Sequence, residues 1–181
     1  MTVSSISPPS PAPSQGYRSR RRARQAALQW LFQWEFQHVQ GPWVEEFWSK
    51  QTLSPAAREF ADSLIQGVLS QQQVFDELIS KYAVHWKLHR MPIVDRNILR
   101  CALMELFCLE EIPAVVTVNE AIELAKRFAD DETKRFINGI LDQILQKDPR
   151  LQKKRAEKPM PQPEPEVETA PSKDLESMNH D

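Results

Sequence analysis

The chain has 181 residues, a formal net charge of -2 and two cysteines, a length that suits one domain with a real core. The near-neutral total hides a polarised distribution. Residues 1–30 carry Arg18, Arg20, Arg21, Arg22 and Arg24 and no acid, whereas residues 159–181 carry six acids against Lys173, so the overall charge says little about what the protein binds. Of four glycines, three (Gly41, Gly67 and Gly139) fall between residues 18 and 147, which excludes a glycine-rich phosphate loop or a dinucleotide fingerprint.

In chain order, residues 1–17 are rich in Ser and Pro ("SPPSPAPS") with almost no large apolar side chain, and such a segment buries too little surface to offset its chain entropy, so we expect a disordered tail. A first helix is predicted from about Ser19 to Gln40, stopped by Gly41-Pro42, with a short helix from Pro42 to about Lys50. Ser54-Pro55 is a helix start, serine capping and proline in the first turn. From it Ala57, Phe60, Ala61, Leu64, Ile65, Val68 and Leu69 form one stripe, and a further helix carries Val74, Phe75, Leu78, Ile79 and Tyr82.

Residues 84–92 break the pattern, and a mostly apolar helix follows Pro92, as a central helix would read. Beyond Pro113, Thr117 and Glu120 have capping-box spacing, and Glu123 is spaced to pair with Arg127. The run "VVTV" has strand character, but one short strand without a partner does not make a sheet. The last helix spans about Asp131 to Gln146 and presents Phe136, Ile137, Ile140, Leu141, Ile144 and Leu145. Residues 148–181 are again Pro- and Glu-rich. The expected fold is all-α, six or seven helices in two halves hinged near residues 84–92, with the folded domain at 18–147. No run is long enough to span a membrane and no apolar signal segment follows a basic start, so a cytoplasmic location is expected.

The stretch "RRRARQAALQWLFQWEF" carries the clearest chemistry. At about 100° per residue, Ala23, Ala27, Trp30, Leu31, Trp34 and His38 form a core stripe. Arg18, Arg21, Arg22, Gln25, Gln29, Phe32 and Phe36 form the opposite face. A solvated face normally mixes charge signs, and arginines at a helix start are opposed by the positive end of its dipole. The pattern therefore asks for an anion. Phosphate suits the planar guanidinium, and an exposed Phe32 could stack on an unpaired base. The alternative is a solubilising collar with Phe32 packed on another helix. DNA is disfavoured, because no helix-turn-helix spacing is visible.

Other candidates are weaker. His85 and His89 have metal-pair spacing but no third ligand nearby, so no metal or other cofactor is expected. Cys101 and Cys108 lie about 10 Å apart along one helix, too far for a disulfide, and read as thiols. Glu105 is a lone carboxylate in an apolar helix, better read as structural than catalytic, and no catalytic constellation appears.

Three segments in order, "RRRARQAALQWLFQWEF", "VDRNILRCALMEL" and "VNEAIELAKRFADDETKRFINGILD", resemble the NusB family of bacterial transcription antitermination factors over residues 18–146. The resemblance implies two packed three-helix bundles. It also implies binding to boxA, a short single-stranded element of nascent ribosomal RNA transcripts, together with a small-subunit ribosomal protein, in the RNA polymerase antitermination complex. By position it implies RNA contacts at Arg20, Arg21, Arg22, Arg24, Gln29 and Phe32. It also implies that Phe128, Glu132, Thr133, Arg135 and Phe136 approach RNA or shape that edge. Phe32 stands where the family usually has tyrosine, which keeps stacking and removes one hydrogen bond. Asp95 stands where the family commonly has glutamate, on the helix that meets the ribosomal protein. Other readings are a stand-alone ribosomal RNA binder or assembly factor, and a protein-only helical scaffold.

Overall fold

The computed structural model describes residues 13–156 apart from His85. The expectations for residues 1–12 and 157–181, and the His85–His89 pair, lie outside the described residues. Eight α-helices follow in order: α1 (Pro13–Gln37), α2 (Pro42–Ser49), α3 (Pro55–Ser70), α4 (Gln72–Tyr82), α5 (Ile93–Cys108), α6 (Ala114–Phe128), α7 (Asp131–Lys147) and α8 (Gln152–Ala156). Single 3-10 turns occupy Leu88–Arg90 and Pro149–Leu151, and no strand forms among the described residues. Residues 115–118, the candidate strand, lie within α6.

Local chemistry explains most boundaries. The Ser54 hydroxyl accepts from the Ala57 amide at 3.3 Å with Pro55 in the first turn of α3, and Asp130 caps α7 by accepting from the Thr133 amide at 2.8 Å. At the end of α1, His38 takes a left-handed φ of 53° and turns the chain three residues ahead of Gly41, the expected stop. His38 is exposed rather than part of the core stripe.

α5 is the central helix, buried on nearly every side. It packs on α1 and α3 in one half and on α4, α6 and α7 in the other. Because α4 sides with the second half, the division falls at Gln71 rather than at residues 84–92. Gly67 permits the approach of α3 to α5, since a Cβ there would overlap the Met104 side chain. Arg100, buried in α5, ties the halves together. Its guanidinium donates to both Asp76 oxygens at 2.7 Å and to Glu35 of α1 at 2.6 Å, a forked geometry that lysine could not reproduce.

The ordered chain runs past the expected limit of residue 147. Leu151 is 2% exposed and belongs to the core. The buried Lys154 ammonium donates to the carbonyls of Glu105, Leu109 and Ile112 at 2.8, 2.6 and 3.0 Å. Those carbonyls lie at and just beyond the C-terminus of α5, where a cation is favoured and unpaired oxygens need donors.

Candidate nucleic-acid interface

The five arginines of α1 occupy different environments, which the charge run alone did not reveal. α1 begins at Pro13, so the arginines sit in its second to fourth turns, where the dipole no longer opposes them as it would in the first. Arg24 is only 3% exposed. Its Nε and Nη2 donate to the two Glu105 oxygens at 2.6 and 2.9 Å, and Glu120 lies 3.6 Å from Nη1. Arg24, which the resemblance places among the RNA contacts, thus has its guanidinium enclosed and paired with a carboxylate of the fold itself. Thr117 completes the cluster, its hydroxyl donating to Glu105 at 3.1 Å.

Arg21 is half-buried and donates to Glu120 from Nη2 at 2.9 Å and from Nε at 3.2 Å. The Tyr17 hydroxyl donates to the same carboxylate at 2.6 Å; burial first, and then this bond to Glu120, raise the Tyr17 pKa above its ordinary value. Glu120 is thus an internal anion rather than a capping residue. The helix starts at Ala114 behind Pro113, leaving Thr117 inside it. Glu123 pairs with Lys126 at 2.5 Å instead of Arg127, and with Arg21 at 3.7 Å.

Arg18, Arg20 and Arg22 are exposed. Arg20 leaves the Phe32 face: its guanidinium stacks over Phe60 of α3, 5.1 Å from the ring centre. Arg22 donates to the Thr52 carbonyl at 2.5 Å, one residue beyond Gln51, which lines a groove of about 680 Å³ together with Gln29, Phe32, Glu46, Lys50 and Phe128 among others. Phe32 is 38% exposed and edge-on to the more exposed Phe36 at 5.2 Å. The ring is not packed away, as the collar alternative required. The groove joins α1, α2 and the end of α6. Phe32, Gln29 and Phe128, 96 residues apart in sequence between the two rings, share one wall system. Lys50 and Gln51 were missed by sequence reading, since nothing in "SKQTLS" distinguishes a groove lining from an ordinary loop.

The remaining candidates form a second cleft, of about 500 Å³, on the other side of the α6–α7 turn. It is lined by Trp86, Met91, Pro92, Asp95, Asp130, Glu132, Thr133, Arg135 and Phe136. Asp95 accepts from the Thr133 hydroxyl at 3.2 Å. Burial pushes the Asp95 carboxyl up, with the Thr133 bond opposing and the Asp130 charge adding to the rise. The amide of Thr133 instead lowers Asp130. Trp86, exposed and 5.4 Å from Phe136, is a further lining residue that sequence reading passed over inside the break at 84–92. Three acids against Arg135 make this cleft unfriendly to phosphate, whereas the first groove is lined by one acid, Glu46, paired with Lys50 at 2.6 Å.

The two cysteines are free, and burial, then the Glu105 charge, push the Cys101 thiol up to about 12. Among the described residues no group of three His, Cys, Asp or Glu is placed to hold a metal ion, and none of the helices is long and apolar enough to cross a membrane.

Known proteins resemble this chain in sequence and fold. The sequence model described as the NusB family matches residues 21–146. The transcription antitermination protein NusB of Desulfotalea psychrophila is 42% identical over 100 residues, 55% of this chain and 71% of that protein. Its counterpart from Bacillus thuringiensis (strain Al Hakam) is 52% identical over 86 residues, 48% of this chain and 66% of that protein. Among solved structures, T. maritima NusB superposes with a TM-score of 0.64 at 40% identity, over 71% of this chain and 91% of that one. A structure of the antitermination factors NusB and NusE in complex with dsRNA gives 0.64 at 27% identity, over 71% of this chain and 97% of that one. With the family match spanning most of the described helices, the chain belongs to the NusB family.

Proposed function

We propose that this protein is a transcription antitermination factor that binds single-stranded boxA-type RNA in nascent ribosomal RNA transcripts together with a small-subunit ribosomal protein, within the RNA polymerase antitermination complex. The observation that carries the reading is the groove in which Gln29 and Phe32 of α1 meet Phe128 of α6, with the exposed Arg22 bonded to Thr52 next to the lining residue Gln51. A cationic edge positions a phosphate backbone, and exposed rings take unstacked bases. The solved relative with NusE was crystallised with dsRNA, but two rings opening onto a groove favour unpaired bases, because a duplex keeps its bases stacked.

The second cleft supports the protein half of the reading. Asp95, Asp130 and Glu132 suit a basic partner surface rather than a phosphate backbone, and Trp86 and Phe136 supply apolar area beside them. Thr133, Glu132, Arg135 and Phe136 then act at the junction of partner and RNA. The role is a non-catalytic one, exercised in the cytoplasm.

The test is binding of a fluorescent single-stranded boxA-type RNA and of a duplex control, each with and without the ribosomal protein. Tighter binding of the single strand in the presence of the protein is expected. RNA binding indifferent to the protein would favour a stand-alone RNA binder, and protein binding without RNA affinity would favour a scaffold.

A further inference from the structure

The carboxylates facing the arginines of α1 come from far away in the chain and are almost closed to water. Glu120 of α6 is 2% exposed. It presents both oxygens to Arg21 and lies beside Arg24, whose fork is filled by Glu105. In each case the carboxylate occupies the arginine in the way a phosphate would. For Arg21 to reach RNA it must leave a buried carboxylate without its strongest partner. Arg18, Arg20 and Arg22 carry no such cost.

We propose that Glu120 is a specificity-determining residue that withholds Arg21 from RNA, limiting sequence-independent attraction to phosphate relative to recognition by Gln29, Phe32 and Phe128. This rests on the RNA-binding function proposed above. Each phosphate contact adds affinity for any sequence, whereas base contacts discriminate. With Glu120 in place, α1 offers three arginines out of five that pair with no carboxylate among the described residues. Without its charge, Arg21 becomes a fourth, on the same helix face as Arg18, Arg22 and Phe32.

The test compares wild type, Glu120→Gln, Arg21→Gln and the double variant, using a single-stranded boxA-type RNA and a shuffled RNA of the same composition over a salt series. Glutamine keeps an acceptor for Tyr17 and removes the charge. In Glu120→Gln the slope of log affinity against log salt should steepen by about 0.7, and the shuffled RNA should bind on the order of 4-fold tighter near 0.15 M salt. Arg21→Gln alone should leave the wild-type slope unchanged, and adding it to Glu120→Gln should restore that slope. A folded Glu120→Gln with an unchanged slope, or with weaker binding of both RNAs, would overturn the inference. If Glu120→Gln does not fold, Arg21→Gln decides, since a slope shallower by about 0.7 would identify Arg21 as a phosphate contact and overturn it. Absence of RNA binding by the wild type overturns the functional reading itself, and this inference with it.

Discussion

Arg24→Ala separates a structural arginine from a binding one. The substitution leaves Glu105, whose side chain is 3% exposed, without the two donors at 2.6 and 2.9 Å that neutralise it; only the Thr117 hydroxyl remains on its Oε2 among the contacts described above. Breaking a buried pair from one side costs about 3–5 kcal/mol, against a total stability of about 5–15 kcal/mol for a domain. The expected fall in melting temperature is on the order of 10–20 °C. Urea or thermal unfolding followed by far-UV circular dichroism reads it directly. The double variant Arg24→Met, Glu105→Gln should lose less than the sum of the single changes, because the charge left unpaired by one is removed by the other. RNA affinity measured below the transition should change little in salt slope. A stable Arg24→Ala protein with a shallower slope would refute the assignment and return Arg24 to the RNA contacts.

Phe32→Ala should cost about 1–3 kcal/mol of single-stranded RNA binding while leaving the melting temperature nearly unchanged, because the ring is a groove lining and not core; titration and thermal melts on the same sample check both. Asp95→Asn should raise the melting temperature at neutral pH. The folded pKa of Asp95 lies above its ordinary 3.8, so its favourable contribution is present below about that value and is lost as pH rises through the raised folded value, where the carboxylate ionises in poorly solvating surroundings. Asparagine removes that penalty and should flatten the pH dependence of stability over the same window. Ending the chain at Lys147 should destabilise it by about 3 kcal/mol or more, through loss of the buried Leu151 and of the hydrogen bonds from Lys154 to the α5 carbonyls; chemical denaturation of the truncated and full chains measures the difference.

The all-helical class and most helix limits were legible because the signals are local. Ser54-Pro55 caps its own helix, Pro92 and Pro113 stand immediately ahead of α5 and α6, and apolar spacing marks the buried faces. What misled was local spacing whose true partners are remote. Thr117 and Glu120 match a capping box, yet the helix is capped at Pro113, four residues earlier, and Glu120 instead meets Arg21 and Tyr17 about a hundred positions away. Arg24 could not be told from its neighbours by composition, because only the fold brings Glu105 opposite it. The segment after Lys147 reads as a polar tail, with Leu151 alone among charged residues. Its order depends on the carbonyls at the end of α5, which no local pattern announces.

The candidate site divides the same way. Phe32 lay on the outward face of the helical wheel and is exposed at 38%, whereas its meeting with Phe128 and Lys50 is a property of how α1, α2 and α6 pack. Asp95 meets Thr133 across α5 and α7, whereas the resemblance gave them separate roles, Asp95 toward the ribosomal protein and Thr133 toward RNA.

The most direct test of the RNA-binding account is the salt dependence of single-stranded RNA binding by the wild-type chain. Three engaged arginines, Arg18, Arg20 and Arg22, predict a slope of log affinity against log salt of about -2. A flat dependence would contradict phosphate binding altogether. A slope near about -3.5 would require about five phosphate contacts; if Arg21→Gln and Arg24→Gln then each made it shallower, that would contradict the burial of Arg24 against Glu105 and the capture of Arg21 by Glu120.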